Sequence, residues 1–339
     1  MGVRVAVVGG GIIGLTSAIR ITETMSDVDV TVVAENFTPH TTGDVAGGFF
    51  EPYIIHGVSE ETLRTWCVET FDFYQNLQEM YCSDALGLVV TPAYKLGENA
   101  FQPKPMYADA FPEYREMTAE ELARFSGEYS AGVFLISMTV EGEKFLPYLM
   151  QRFAARGGQF RNRLLDSLNE LASEFDVVVN CSGVGARTLV PDPLVVPVRG
   201  QTIRVQAPWI TSIVVAGDYY IIPNADDIVL GGTSEYGNDS LVPDTDSREK
   251  IWKGCLGIFP ELKNGKILGD YVGLRPMRNP LRLELENRRL QDGTRTLPIV
   301  HNYGHGGCGL TLSWGCAGDV VRLLRDVVRQ ARRKKRSML

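Results

Sequence analysis

Val3-Arg4-Val5-Ala6-Val7-Val8-Gly9-Gly10-Gly11-Ile12-Ile13-Gly14 is the stretch that decides the fold. Its first six residues are apolar apart from Arg4, the pattern of a strand buried on both faces of a parallel sheet. A G-x-G-x-x-G follows at once, and Leu15, Ala18, Ile19 and Ile21 continue at helical spacing. In such a motif one glycine makes the tight turn, one lets backbone approach a pyrophosphate, and one lets helix and strand pack closely. The helix N-terminus then offers free N–H groups and positive dipole to the phosphates.

Working outward, Asp29-Val30-Thr31-Val32-Val33-Ala34 reads as a second strand and ends in Glu35, 21 residues past Gly14. An acid at that place accepts hydrogen bonds from the adenosine ribose hydroxyls and repels a 2′-phosphate. An adenine dinucleotide is therefore expected on an α/β, Rossmann-type lobe. The motif alone does not choose between FAD and NAD. The rest of the chain does: after Glu35 comes a loop of hydroxyls and small residues, Thr38 to Gly48, instead of a further βα unit. Asp176-Val177-Val178-Val179-Asn180-Cys181-Ser182-Gly183 is another buried strand running into a small-residue turn, and Tyr303 to Thr311 is a glycine-rich turn before a helix. Three separated backbone-exposing segments suit a long ligand threaded through one lobe.

Bulk properties narrow the class. A chain of 339 residues exceeds what one core supports, so two lobes are expected. No apolar run approaches the roughly 18–20 residues of a membrane span, and Met1-Gly2-Val3-Arg4 leads into a strand rather than a secretory leader. The six cysteines show no CxxC or finger spacing and, in a chain of this size without an evident export signal, are expected to be reduced thiols. From Arg322 to Leu339 eight Lys/Arg face one acid, a tail of +7 on a body of −14 that together make the net −7. Such a body is a poor partner for nucleic acid. His40, His56, His301 and His305 form no ligand pair, so no metal site is expected.

Seven segments, G-G-G-I-I-G, F-T-P-H-T-T-G-D-V-A-G-G, V-V-N-C-S-G, P-V-R-G-Q, Y-I-I-P, G-L-R-P and Y-G-H-G-G-C-G-L-T, resemble in order and spacing the D-amino-acid oxidase and D-aspartate oxidase family. The resemblance runs from Val3 to about Leu324. It implies non-covalent FAD on a lobe assembled from residues 1–50, 140–200 and 270–339, and a substrate lobe on an antiparallel sheet from 51–139 and 201–269, α+β overall. It implies that Gly9, Gly11 and Gly14, with Ile12 and Ile13 between them, hold the pyrophosphate and Glu35 the ribose. Thr41, Thr42, Gly47, Gly48 and Ser182 would line the cofactor, and Gly306, Gly307, Gly309, Leu310 and Thr311 would lie near the flavin.

The implied reaction is oxidative deamination of a free D-amino acid, with oxygen as acceptor and hydrogen peroxide as product. Arg275 matches the family's carboxylate-binding arginine, whose planar fork fits two oxygens. Tyr220 matches the pocket tyrosine, and the Gly307 carbonyl the acceptor for the substrate amine. A second tyrosine, expected four residues before Tyr220, is absent, since Ala216 stands there; Tyr219 is expected to face away, because strand neighbours point to opposite sides. His305 reads as a structural hydrogen-bonding residue.

Side-chain preference divides the signals. Phe175 to Trp209 and Glu51 to His56 read closer to D-aspartate oxidases. Those enzymes usually place Arg or Lys after Gly-Gly-Thr, where this chain has Ser234 and then Glu235, and another arginine near Val215. No Lys or Arg occurs between Val205 and Ser247. Neutral D-amino acids are the expected substrates, D-aspartate or D-glutamate the alternative; a glycine- or sarcosine-type oxidase or a non-catalytic nucleotide-binding scaffold is more remote. The segment between Trp209 and Tyr220 is short, so any lid should be small. The C-terminal Ser337-Met338-Leu339 resembles a peroxisomal address, which would make an import receptor a partner and the peroxisome the location, with the cytoplasm as the alternative. A homodimer is expected from the general frequency of such assemblies.

Overall fold

The valines of Val3–Val8 (β1) are buried because the strand is paired on both sides and covered on both faces. It runs parallel to Val28–Ala34 (β2) and, across the other edge, to a strand more than a hundred residues away. Val3, Val5 and Val7 pack under the helix Ile12–Thr24, while Ala6 and Val8 join Leu165, Leu168, Leu171 and Ile299 on the opposite face. Full burial of each such side chain contributes roughly 1.5–3 kcal/mol. The computed structural model describes residues 2–337, apart from 82, 100, 102, 128, 291, 292 and 294.

The remaining strands, in chain order, are Leu88–Gly97 (β3), Glu113–Glu116 (β4), Ala131–Val140 (β5), Gln159–Asn162 (β6), Val177–Asn180 (β7), Val195–Gln206 (β8) and Ile213–Ala216 (β9). They continue with Tyr219–Pro223 (β10), Ile228–Gly231 (β11), Glu235–Tyr236 (β12), Lys266–Arg289 (β13) and Thr296–His305 (β14). All belong to one 14-stranded sheet of order β4-β5-β3-β9-β10-β11-β8-β13-β14-β7-β1-β2-β6, with β12 beside β8. From β14 to β6 the neighbours are parallel; from β3 across β5 to β4, and from β9 to β14, they are antiparallel. The Rossmann-type half and the antiparallel half expected from the sequence are thus two ends of one sheet. The boundaries read at 200/201 and 269/270 fall inside β8 and β13.

β13 makes the join. Its first part pairs with β8, from Lys266 to Arg278, and its last part with β14, from Arg282 to Arg289; Met277 pairs with both. Where β13 changes partner, the end of β14 and the turn after it are brought against Arg275 and Pro276. Helices Ile12–Thr24, Gly142–Ala155 and Gly309–Ser337 cover one face of the parallel half, and Thr245–Ile258 packs Ile251, Cys255 and Ile258 on β8, β10 and β11. Among the described residues no helix is long and apolar enough to cross a membrane.

Gly14 shows how tightly the first turn is built. A Cβ there would stand 1.9 Å from the Gly9 carbonyl oxygen, so no side chain fits without moving backbone. Gly14→Ala is expected to cost about 1–3 kcal/mol, read as a lower denaturant midpoint of the apoprotein.

Candidate active site

Four parallel strands end at one place. Gly9 follows β1, Glu35 follows β2, Ser182 lies just past β7, and Gly306-Gly307 follows β14. The crevice outside the carboxyl ends of parallel strands is where this architecture binds ligands. Here it is a continuous cleft of about 880 Å³ that runs on to Tyr220 and Arg275 in the antiparallel half.

At one end Gly9, Gly10, Gly11, Ile12 and Ile13 line the cleft. Gly9 adopts φ +121°, and a Cβ on it would stand 2.3 Å from the Cys181 carbonyl oxygen. Gly11 caps the Ile12–Thr24 helix without a side-chain hydrogen bond, so the first-turn N–H groups remain open to an anion. Gly14 is a correction: it does not line the cleft but faces the Gly9 carbonyl, as a packing glycine. Glu35 is exposed at the rim, its carbonyl accepting from Asn162 Nδ2 at 2.7 Å. Beside it Arg163, Leu164 and Leu165, from the loop after β6, form a wall that sequence reading missed, because nothing local marks an exposed leucine as a ligand contact.

Thr41 and Thr42 line the next stretch, yet their hydroxyls are used within the protein. Thr41 donates from both its amide and Oγ1 to Asp44 Oδ2, each at 2.7 Å, and Thr42 Oγ1 donates to the Leu274 carbonyl at 3.1 Å. Gly47, Gly48, Ser182, Gly306, Gly307, Gly309 and Leu310 all line the cleft. Thr311 does not: it is buried, and its hydroxyl donates to the Glu51 carbonyl at 3.2 Å. Gly306, at φ +56°, lets its Cα approach the Ile54 carbonyl, from which a Cβ would be 1.9 Å.

Four cleft-lining residues carry buried polar atoms without a hydrogen-bond partner among the described residues: Ser182 Oγ, Thr202 Oγ1, Asn302 Oδ1 and His305 Nε2. Buried polar groups are normally paired, so this wall fits a polar ligand. Open N–H groups at the start of the Ile12–Thr24 helix and the Gly309 start of the long C-terminal helix fit its negative charge. A cleft of this length and lining fits FAD. His305 is not the satisfied residue expected: its Nε2 is unpaired, and burial pushes its pKa down to about 3, so the ring is neutral.

At the far end two glycines make room for two large side chains. A Cβ on Gly200 would stand 2.5 Å from Arg275 Nη1, and one on Gly231 would stand 2.2 Å from the Tyr220 hydroxyl. Arg275 Nη1 donates to the Thr233 carbonyl at 3.1 Å, which fixes the guanidinium plane. Among the described residues no carboxylate pairs with it, so the surface ion pair that an arginine commonly makes is absent. Tyr220 is pushed above the ordinary phenol pKa by burial, partly offset by the guanidinium of Arg275, and so keeps its proton.

The second phenol comes from an unexpected element. Tyr219 does face away: a Cβ on Gly254, in the helix Thr245–Ile258, would meet its ring at 2.3 Å. Tyr53 brings a second phenol beside Arg275 instead. Its ring lies 5.8 Å from the Arg275 guanidinium, its hydroxyl is 3.1 Å from Ser234 Oγ, and its carbonyl accepts from the Gly307 amide at 3.2 Å. The signal for it was only its place after Pro52 in a loop. Across the mouth β9 and β10 are joined by Gly217-Asp218 alone, so the expected small lid is a two-residue turn.

The fold and this cleft define a nucleotide-dependent oxidoreductase, and comparison with known proteins gives the family. Residues 4–323 match the model of the FAD dependent oxidoreductase family. A D-amino acid oxidase of Dugesia ryukyuensis is 37% identical over 97% of this chain and 99% of its own, and the human D-aspartate oxidase is 35% identical over 97% and 96%. A D-amino-acid oxidase of Rubrobacter xylanophilus is 38% identical over 94% and 95%. Among solved structures, glycine oxidase from Geobacillus kaustophilus superposes with TM-score 0.75 at 20% identity over 96% of this chain and 95% of that one, which bears on the fold. This chain belongs to the FAD dependent oxidoreductase family, and FAD is its cofactor.

If the unpaired Ser182 hydroxyl meets the cofactor, Ser182→Ala should weaken FAD binding by about 0.5–1.5 kcal/mol, two- to tenfold. Fluorescence titration of apoprotein with FAD checks this; an unchanged Kd would remove Ser182 from the contact.

Proposed function

We propose that this chain oxidises free D-amino acids to 2-oxo acids, releasing ammonia and hydrogen peroxide. The observation that carries the reading is Arg275: a guanidinium held in plane at the cleft wall, without a carboxylate partner among the described residues, between two phenols. Its fork matches a substrate carboxylate, and the neutral Tyr220 hydroxyl is a donor for the same group. The Gly307 backbone is exposed in the cleft, where its carbonyl can accept from the substrate amine. Fixing carboxylate and amine leaves Cα one hydrogen and one side chain to place, which selects one enantiomer. FAD held by the glycine turns would supply the two-electron acceptor, with molecular oxygen as the final oxidant. The amine must be neutral when the hydride leaves. No side chain is needed to accept its proton, since the cleft mouth is open to water; the neutral His305, far below its ordinary pKa, is no base.

Neutral side chains are the favoured class. Val215 pairs with Tyr220 across β9 and β10 and so shares its face, and Ser234 touches Tyr53. These are the two places where acidic-substrate enzymes of this family carry cations, and neither is charged. D-Aspartate oxidation remains the second reading, on the 35% identity with the human enzyme of that name.

Peroxide release from D-alanine, D-aspartate and L-alanine in parallel tests the reading; turnover of the L-isomer alone would overturn it. Arg275→Leu should retain FAD and lose about 10²–10³-fold in kcat/KM, the scale of a paired charge-assisted contact. Peroxisomal delivery belongs to the same proposal. It rests on the Ser337-Met338-Leu339 tripeptide at the end of the helix Gly309–Ser337; Met338 and Leu339 lie outside the described residues. Masking the C-terminus with a fusion should abolish peroxisomal location, and retained location would remove this part.

A further inference from the structure

Lys95 stands in the same cross-strand row as Val215 and Tyr220. Lys95 of β3 is the register partner of Val215, and Val215 of Tyr220. Partners across strands share a face, so Lys95 projects to the cleft side of the sheet, two strand spacings or roughly 9–10 Å from Tyr220. This cation comes from a strand more than a hundred residues before the region where a charge was sought. It is masked: Nζ is ion-paired with Glu51, whose side chain is 9% exposed and which lines the cleft where Lys95 does not. The Glu51 carbonyl is tied to the Thr311 hydroxyl and the Phe50 carbonyl beside it to Ser137, so the backbone that carries the carboxylate is held in place.

We propose that the Glu51–Lys95 pair sets side-chain selectivity: Glu51 presents a carboxylate to the far end of the pocket, repels acidic side chains, and hides a lysine that would otherwise bind them. This rests on the reading that Arg275 holds the substrate's α-carboxylate. From Arg275 and Tyr220, a substrate side chain of two or three carbons crosses Val215 toward Glu51. Like charges in a nearly dry place repel strongly, because solvent screening is weak there. With Glu51 neutralised, Lys95 becomes an unpaired buried cation, for which a substrate carboxylate is the natural partner.

The test uses holoenzyme and two probes, butyrate and succinate, which share one carboxylate and differ by the second. Binding is read from the perturbed flavin absorbance, alongside kcat/KM for D-aspartate over D-alanine. Glu51→Gln should raise the succinate-to-butyrate affinity ratio at least tenfold and the D-aspartate-to-D-alanine ratio in parallel. Adding Lys95→Met to it should remove most of that gain. Ratios within twofold of wild type in Glu51→Gln would overturn the proposal, as would an equal gain in the double variant, which would assign the effect to lost repulsion or to space alone. Should Glu51→Gln fail to fold, Lys95→Met decides: the proposal requires succinate to weaken at least fivefold relative to butyrate, and an unchanged ratio overturns it. Wild-type protein that binds butyrate but oxidises no D-amino acid would sink the oxidase reading, and the pair would still be judged by the binding ratios.

Discussion

The Gly306 amide donates to the Pro276 carbonyl at 2.9 Å, and the site depends on that bond. Gly306 belongs to the turn that closes the parallel half of the sheet, and Pro276 follows the arginine of the antiparallel half. β13 reaches both because it leaves β8 and joins β14 at this point. A strand that kept one partner would leave the cofactor end and the substrate end on separate sheets. Only glycine serves at 306, since any side chain would meet the Ile54 carbonyl. The backbone there is therefore constrained from two sides, by a hydrogen bond and by a contact.

The cofactor half was largely legible in the sequence. Its signals are local: a strand, a glycine turn and a helix in immediate succession, then an acid at the end of the next strand. The exceptions are instructive. Gly14 and Thr311 sit inside the right motifs but turn inward, because a motif marks a segment and not the direction each residue faces. Leu164 carries no local signal for the opposite reason: it lies outside any motif and comes to the Glu35 end of the cleft only through the pairing of β6 with β2.

The substrate half was legible for Tyr220 and Arg275, which stand in short recognisable segments, but not for what surrounds them. Tyr53 is brought to the cleft by its carbonyl on the Gly307 amide, and Lys95 to the cleft side of the sheet, behind Glu51, by the register of β3 beside β9. No spacing rule within one segment connects residue 53 to residue 307, or residue 95 to residue 215. No Lys or Arg stands between Val205 and Ser247, and the lysine in register with Val215 comes from another strand, β3. Resemblance at 35–38% extends alike to relatives named for D-amino acids and to one named for D-aspartate.

The Gly217-Asp218 turn has a consequence for how the site trades with its surroundings. Two residues cannot fold over an opening, so this connection supplies no lid. Slow closing and reopening steps set the pace of many enzymes, and this turn is too short to carry one. The same openness denies the reacting atoms a sealed chamber. Dryness at Cα must come from the walls themselves, the rings of Tyr53 and Tyr220 and the methyls of Val215 and Ile222. A replacement that roughens those walls therefore admits water that the Gly217-Asp218 turn is too short to exclude.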